Sequence, residues 1–321
     1  MEQYDLWKLD KKLQKEVDED RYHHTLGVMF TAASMAMVWG EDLEKARVAG
    51  LLHDCAKCIP NKKKITMCEK NKIEITEFER NNPFLIHAKL GAFLAKDKYK
   101  VEDPEILSAI TWHTTGKEDM TLLEKIIYIA DYIEPARNKA PHLTRLRKLA
   151  FTDIDECMYE ILKDSMAYLS ENPKTMDPMT EQAYQFYEAL HRGRTAKEEA
   201  SMSEAKQTAK LALEALEDKK AEDIRVIDIS EVSPLADYFI IANGTNRNQV
   251  QALADNVEEL LGRLGYERRP IEGYDSANWI LLDFKDIIIH VFDKESRSFY
   301  DLERIWRDGK EVTEEDLKSA E

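Results

Sequence analysis

Residues 46–57, ARVAGLLHDCAK, form an apolar segment that a histidine and an aspartate interrupt. The apolar residues recur at helical spacing, which predicts a helix over residues 43–57. A carboxylate buried in such a helix is costly unless it is paired or bound to a cation. His53 and Asp54 therefore indicate a metal site at the rim of a helix, with Asp54 free to bridge towards a second ion.

Further histidines and an aspartate continue this pattern along the helical half of the chain. His24 begins a preceding helix, and Asp131 lies in the apolar run KIIYIADYIEP. His87 and His113 fall between Asp54 and Asp131. Each alone is more often a core or surface residue, but together they supply the imidazole and carboxylate ligands that manganese and iron accept. The predicted metal ligands are His24, His53, Asp54, His87, His113 and Asp131.

The residue pattern divides the chain into two parts. Residues 1–193 are almost wholly helical in pattern, with a capping box at residues 121–124. After a charged helix at about residues 205–220, the pattern changes from Ile224 onward to short β-branched and aromatic strands, two of which flank a hairpin signal at residues 283–286. The sequence predicts a multidomain protein, an all-α helical bundle followed by an α/β domain with a mixed sheet flanked by helices.

The expected domain boundaries follow from composition. The first domain covers residues 1–193, with its last helix ending at Gly193. Residues 194–204, RTAKEEASMSE, are expected to be a polar linker. The second domain covers residues 205–310, and residues 311–321 are expected to be a polar tail.

Composition and charge narrow the functional classes. The chain has 43% hydrophobic and 34% charged residues, which is typical of a soluble globular protein. It has neither a secretory signal nor a stretch near the roughly 20 apolar residues of a membrane span, so a cytoplasmic protein with no membrane partner is expected. The net charge of −16 argues against general nucleic-acid binding and requires local cations to hold a phosphate-bearing substrate.

Five strings in the first half closely resemble the YqeK branch of the HD superfamily: RYHHTLGV, GLLHDCAK, NPFLIHAKLGA, HTTG and IADYIEPAR. Members of that branch are symmetrical bis(5′-nucleosyl)-tetraphosphatases, which cut diadenosine tetraphosphate into two ADP at a di-iron centre. The resemblance implies the same activity here, with two iron ions as cofactors. It implies that His24, His53, Asp54 and Asp131 hold one iron, that Asp54 bridges, and that His87 and His113 hold the other.

The resemblance also implies roles in substrate binding and catalysis. The expected substrate contacts are His24, His87, Thr114, Asp131, Arg137, Pro178 and Thr180. The expected catalytic residues are Asp54 and Arg137, the latter facing nucleotide phosphate, together with Lys57, which is selected by its spacing from His53 and not by the resemblance. Lys57 lies one helical turn after His53, and a solvated lysine at a helix end is an equally good interpretation of it.

Three strings in the second half closely resemble the bacterial ribosomal silencing factors, the RsfS family: ADYFIIANGTN, EGYDSANWILLDFKDIIIHVF and RSFYDLERIW. Such proteins bind large-subunit ribosomal protein fourteen and block joining of the small subunit. The resemblance therefore implies a second, ribosome-binding function that represses translation. The candidate ribosome-binding residues are Trp279, Asp283, Tyr300 and Trp306. We find no catalytic set in this half of the sequence.

Two alternatives for the first half stay open. In the first alternative, this half is an HD enzyme that acts on another nucleotide, such as a nucleoside triphosphate or a cyclic dinucleotide. Alternatively, it is a non-catalytic nucleotide sensor that controls ribosome binding. The sequence does not decide the metal used in vivo, whether the two halves are coupled, or whether the chain forms a homo-oligomer.

Overall fold

Helices build the first unit of the chain, Met1–Gly193. The structure is a computed structural model that describes residues 4–170 and 176–318. In order, the helices are α1 (Leu6–Leu13), α2 (Glu19–Trp39), α3 (Leu43–Leu52), α4 (Asn61–Lys70), α5 (Glu77–Asn81), α6 (His87–Asp97), α7 (Pro104–Trp112), α8 (Leu122–Ile133), α9 (Leu143–Leu149), α10 (Ile154–Ser170) and α11 (Pro178–Asp218). The predicted capping box is confirmed, because the Thr121 hydroxyl accepts from the backbone N–H of Glu124, whose carboxylate accepts from that of Thr121.

Close packing of α2, α3 and α8 forms the centre of this unit. A Cβ at Gly50 would lie 2.8 Å from the Cα of Met29, so only glycine lets α3 approach α2 this closely. Buried aliphatic side chains such as Val28, Leu51 and Ile127 fill the space between the helices. The prediction of an all-α bundle is confirmed.

The helix α3 ends five residues earlier than the sequence predicts. It stops at Leu52, and residues 53–58 form a turn in which the N–H of Cys55 donates to the carbonyl of Leu52 and that of Lys57 to the carbonyl of Asp54. Adjacent side chains on a regular helix diverge by about 100°. The turn removes this constraint and lets His53 and Asp54 face the same site.

The longest helix, α11, continues through the predicted linker. The prediction that a helix ends at Gly193 is wrong, since the helix continues through residues 194–204, the predicted polar linker. The segment consists largely of alanine, glutamate, lysine, arginine and methionine, which are strong helix formers. A single interior glycine costs only about 1 kcal/mol relative to alanine, so Gly193 does not stop the helix.

A mixed sheet organises the second unit, Arg194–Glu321. Its described strands are β1 (Glu222–Asp228), β2 (Tyr238–Gly244), β3 (Trp279–Asp283), β4 (Ile287–Asp293) and β5 (Lys310–Val312), in the order β3-β4-β2-β1-β5. The strands β2 and β4 are parallel and the other neighbours are antiparallel, so the predicted hairpin of β3 and β4 and the predicted mixed sheet are confirmed. The remaining helices are α12 (Arg247–Arg263), α13 (Lys294–Tyr300), α14 (Leu302–Ile305) and α15 (Glu314–Lys318).

The two faces of this sheet are covered differently. The helix α12 and the end of α11 pack on one face, where Ile240, Ala242 and Ile289 are fully buried. Alternation along β2 turns Phe239 and Ile241 to the other face. That face carries a smaller cluster joined by half-buried aromatic side chains. Helices on the sheet were predicted and are confirmed.

The predicted polar tail is wrong for its described residues. Residues Lys310–Val312 form β5, which pairs with β1, and Leu317 is buried in the core beneath the sheet. Val312 and Leu317 supply apolar contacts that the surrounding charged residues obscure in the sequence. Residues 319–321 of the predicted tail lie outside the described residues. None of the helices in the described ranges has both the length and the hydrophobicity needed to cross a bilayer.

We expect fragments 1–195 and 203–321 each to fold alone. The buried apolar clusters of the first unit contain residues from Tyr4 to Tyr187, and those of the second contain residues from Ala205 to Leu317, so each core is made within one unit. The cut falls in an exposed part of α11, where only fraying is expected. Thermal melts followed by circular dichroism should be cooperative for both fragments. An insoluble fragment, or one without a cooperative melt, would contradict this division.

Candidate metal centre and aromatic face

The fold brings all six predicted metal ligands together. Three of them lie on helices, and the other three directly follow the ends of helices. His24 lies on α2, His53 and Asp54 follow α3, His87 begins α6, His113 follows α7, and Asp131 lies on α8. Residues distant in the sequence thus form one cluster of imidazoles and carboxylates.

Asp54 lies at the centre of the cluster, and its two oxygens face different histidines. Oδ2 is 3.5 Å from Nε2 of His53 and 3.9 Å from Nε2 of His24. Oδ1 is 3.1 Å from Nε2 of His87 and 3.5 Å from Nε2 of His113. Asp54 is thus the only carboxylate among the predicted ligands that lies within 4 Å of all four ligand histidines.

Asp131 completes the side of the cluster near His24. Its Oδ1 lies 2.9 Å from Nε2 of His24 and 3.9 Å from Nε2 of His53. Two triads have ligand atoms that all lie within 4.8 Å of one another, namely His24, His53 and Asp131, and His53, Asp54 and His113. Both triads have the composition that divalent transition metals accept.

Backbone carbonyls orient three of the four ligand imidazoles. In each case Nδ1 lies within hydrogen-bond distance of the carbonyl oxygen three residues earlier: His53 and Gly50 at 2.8 Å, His87 and Phe84 at 2.6 Å, His113 and Ile110 at 2.7 Å. A carbonyl can only accept, so Nδ1 carries the hydrogen and the lone pair of Nε2 faces the cluster. This is the orientation that a metal-binding histidine needs.

The buried polar atoms of the cluster fit a cation. Nε2 of His24, Nε2 of His53 and Oδ1 of Asp54 are buried and have no hydrogen-bond partner among the described residues. Leaving such atoms unpaired costs about 1–3 kcal/mol each, and more when the group is charged. A divalent cation would satisfy all three.

The protonation states of the cluster also suit a metal. Burial raises the pKa of Asp54, but His53, His113 and His87 outweigh that effect and hold this pKa well below its usual value. Burial lowers the pKa of His87 to about 4, which leaves the ring neutral near pH 7. An ionised carboxylate beside a neutral imidazole is a donor pair that metal binding requires. The cluster is therefore suited to divalent metal.

The two predicted cationic residues lie at the cluster. Nζ of Lys57 is 3.0 Å from Nε2 of His87 and 3.8 Å from Oδ1 of Asp54, so Lys57 points into the site and is not a solvated helix-end lysine. Nη2 of Arg137 is 3.0 Å from Oδ1 of Asp131, with the guanidinium partly exposed. Both cations can therefore reach an anion bound at the ligand cluster.

Two charged residues of the site were not predicted. Arg21 approaches Asp54, with Nη1 2.6 Å from Oδ2. Glu134 is buried and its Oε1 lies 3.1 Å from Nδ1 of His24. The sequence signals were an arginine three residues before His24 and a second acid in the apolar run that contains Asp131.

A cavity of about 860 Å³ is lined by three predicted substrate residues, Thr114, Arg137 and Thr180. The hydroxyl of Thr114 lies 3.0 Å from Nε2 of His113, which links the cavity to the cluster. Asp131 lines a smaller cavity of about 310 Å³ that also contains Thr114 and Arg137. Pro178 lines a different cavity of about 230 Å³. His24 and His87 lie within the ligand cluster and line none of these three cavities.

In the second unit, three of the four ribosome-binding candidates lie on one face of the sheet. The indole N–H of Trp279 donates to Nδ1 of His290 at 3.1 Å, and its ring packs 4.8 Å from that of Tyr300. Trp306 packs edge-on against Phe239 at 4.8 Å. We call Trp279, Tyr300 and Trp306 with their neighbour Phe299 the aromatic face.

The exposure of the four candidates differs. Tyr300 is 44% exposed, whereas Trp279 and Trp306 are half-buried. Asp283 ends β3 and pairs with Arg269 at 3.1 Å, so it is not part of the aromatic face. Sequence reasoning did not select Phe299, whose 81% exposure is unusual for a large apolar side chain.

Two family models match the chain in succession. The HD domain matches residues 21–136, and the model described as ribosomal silencing factor during starvation matches residues 202–321. The first range includes all six predicted metal ligands, with Asp131 near its end. The second range contains the whole sheet.

Curated relatives divide the chain in the same way. The symmetrical bis(5′-nucleosyl)-tetraphosphatase of Bacillus subtilis (strain 168) is 41% identical over 170 residues, which cover 52% of this chain and 89% of the relative. The ribosomal silencing factor RsfS of the same organism is 42% identical over 103 residues, which cover 32% of this chain and 87% of the relative.

A solved structure supports the first assignment. It is the crystal structure of a predicted HD superfamily hydrolase involved in NAD metabolism from Clostridium acetobutylicum, with 37% identity and a TM-score of 0.56. The match covers 58% of this chain and 98% of that one. The chain therefore belongs to two families, the HD-domain symmetrical bis(5′-nucleosyl)-tetraphosphatases through its first half and the ribosomal silencing factors through its second.

Proposed function

We propose that the first half hydrolyses diadenosine tetraphosphate to two ADP with two divalent cations, which we infer to be iron. The position of Asp54 carries this proposal. Its two oxygens each face a separate pair of imidazoles, as a carboxylate shared between two ions would. The relatives named as symmetrical tetraphosphatases support the choice of substrate.

The six-residue cluster would hold both cations. His24, His53 and Asp131 would hold one, His87 and His113 the other, and Asp54 would be shared. The mixed imidazole and carboxylate ligands suit iron and manganese. Divalent cations at such a site supply Lewis acidity towards phosphoryl oxygens and lower the pKa of water.

The cationic side chains would hold the phosphate chain of the substrate. The guanidinium of Arg137 can donate two parallel hydrogen bonds to a phosphate, and Lys57 can donate from the opposite side of Asp54. These residues would offset the negative charge that builds up during phosphoryl transfer. They also provide local attraction within a chain of net charge −16, whose overall field repels a polyphosphate.

The large cavity would hold one nucleoside half of the substrate. Its volume of about 860 Å³ lies in the range of ligand pockets. Thr114 and Thr180 place hydroxyls on its wall, and Arg137 lies where it can contact the phosphates. Pro178, in the neighbouring cavity, would act by shaping the first turn of α11 beside Thr180.

We propose that the second half binds the large ribosomal subunit through its protein fourteen, hinders subunit joining and represses translation in the cytoplasm. The aromatic face supports this, because exposed Phe299 and Tyr300 beside two half-buried tryptophans form the kind of patch that protein interfaces use. The acidic chain would be attracted to a basic ribosomal protein. Relatives named as ribosomal silencing factors match this half.

His53→Ala and Asp54→Ala should each abolish cleavage of diadenosine tetraphosphate and lower the bound metal. Either change removes a ligand and leaves the remaining donors unable to hold the full complement of cations. Turnover and metal content of the full chain test this together. The matched control is His23→Ala, which removes an exposed histidine next to His24 and should change neither. Near-normal turnover with low metal content would refute the assignment.

ADP should be the sole nucleotide product. Attack of water on an inner phosphorus with cleavage of the central P–O–P bridge releases one ADP and leaves the added oxygen on the other, so both products are ADP. Chromatography of the reaction mixture checks this, with nucleoside triphosphates and cyclic dinucleotides as competing substrates. Equal amounts of ATP and AMP would show asymmetric cleavage, and faster turnover of a competing substrate would favour another HD activity.

Trp279→Ala should weaken binding of the chain to large ribosomal subunits by about thirtyfold, since loss of an interface anchor costs about 2 kcal/mol or more. Co-sedimentation with purified subunits measures the loss. A thermal melt of the variant is needed, because the indole also donates to His290 and its loss lowers stability. Leu264→Ala is the matched control, since Leu264 is exposed at the end of α12 on the opposite side of the sheet. Unchanged binding in a folded Trp279→Ala variant would contradict the proposal.

A further inference from the structure

Glu134 is a buried carboxylate that the chemistry described above does not use. It follows α8 directly and is 2% exposed. Oε1 lies 3.1 Å from Nδ1 of His24, and Oε2 accepts the backbone N–H of Ala136 at 2.6 Å. A carboxylate accepts at both oxygens, so Glu134 satisfies two donors at once.

His24 differs from the other three ligand histidines in its second partner. The other rings place Nδ1 against backbone carbonyls, whereas His24 places it against the carboxylate of Glu134. Nδ1 of His24 therefore carries the hydrogen, and Nε2 is directed towards Asp131 at 2.9 Å. A carboxylate behind a histidine fixes the ring and raises its basicity as a ligand.

The second oxygen of Glu134 holds the turn that leads to Arg137. The hydrogen bond that the N–H of Ala136 donates to Glu134 fixes the backbone of this turn. From outside, Arg147 donates to three carbonyls of the same turn: Ile133 at 2.9 Å, Glu134 at 3.0 Å and Arg137 at 2.8 Å. The turn ends where the guanidinium of Arg137 reaches Asp131 at 3.0 Å.

Gly27 makes the space that Glu134 occupies. A Cβ added at this position of α2 would lie 2.7 Å from Oε2 of Glu134, so any larger residue would displace the carboxylate. Carboxylate, imidazole, turn and glycine thus form one packed unit next to the ligand cluster.

We propose that Glu134 is a positioning residue that couples two parts of the site. It sets the orientation of His24 for cation binding, and it fixes the turn that presents Arg137 to phosphate. This inference rests on the proposed function of the metal centre. It assigns Glu134 no contact with substrate.

Titration of the full chain with Mn²⁺ tests whether Glu134 orients His24 for cation binding. In Glu134→Gln only one oxygen remains, so the side chain can serve His24 or Ala136 but not both, and the Kd for Mn²⁺ should rise about tenfold or more. Glu124→Gln is the matched control. Glu124 is a glutamate equally buried at the other end of α8, but its partners are Thr121, Ser108 and Lys117, so its Mn²⁺ affinity should equal that of the wild type.

Gly27→Ala provides a test that does not depend on the folding of Glu134→Gln. Alanine is the better helix former, which offsets part of the cost of moving the carboxylate, so the variant should remain folded, as a thermal melt checks. Its Kd for Mn²⁺ should nevertheless rise, because the carboxylate must move away from His24. Wild-type Mn²⁺ affinity in Gly27→Ala and in folded Glu134→Gln would overturn the proposal.

A double-mutant cycle tests whether Glu134 also acts through the turn that presents Arg137. Arg137→Met should reduce kcat/KM for diadenosine tetraphosphate, because it removes the proposed phosphate contact. If Glu134 acts partly through the turn, adding Glu134→Gln to Arg137→Met should reduce kcat/KM by a smaller factor than it does in the wild type. Fully independent losses would overturn the coupling to Arg137. A wild-type chain that binds no Mn²⁺ would instead refute the proposed metal centre itself, and this inference with it.

Discussion

The carboxylate of Asp54 is buried among four imidazoles and the guanidinium of Arg21, and the first unit is organised around it. A charge in a protein interior requires partners in good geometry, and breaking a buried pair leaves a costly unpaired charge. The segments that contribute the histidines must therefore meet at one place. Gly50 allows the close contact of two of them, and the turn after Leu52 directs Asp54 inwards.

The groups that hydrogen-bond to the ligand histidines must also be held in place. The backbone carbonyls behind His53, His87 and His113 lie three residues before the rings in the chain, so local structure orients these ligands. His24 is held instead by Glu134, which directly follows α8. The orientation of His24 therefore depends on tertiary packing. This side of the cluster is the most sensitive to changes elsewhere in the unit.

The second unit is governed by a different constraint. Its parallel pair β2 and β4 is buried, and residues on opposite faces of β2 belong to separate apolar clusters. One cluster is covered by α12 and the end of α11. The other ends in the aromatic face, where bonding of Trp279 to His290 holds the indole while Phe299 and Tyr300 remain exposed. The closed core and the proposed ribosome-binding surface thus lie on opposite faces of one sheet.

The sequence by itself determined the order of the domains, the mixed sheet and the six residues of the cluster, because helical spacing, strand composition and acids within apolar runs are local signals. It did not determine the end of α3, the continuity of α11 or the pairing of β5, where packing and summed propensity override single residues such as Gly193. Nor did it reveal Arg21 and Glu134 as partners of the cluster. Their roles depend on contacts between helices distant in the chain, and only the tertiary structure brings those atoms within 3.1 Å.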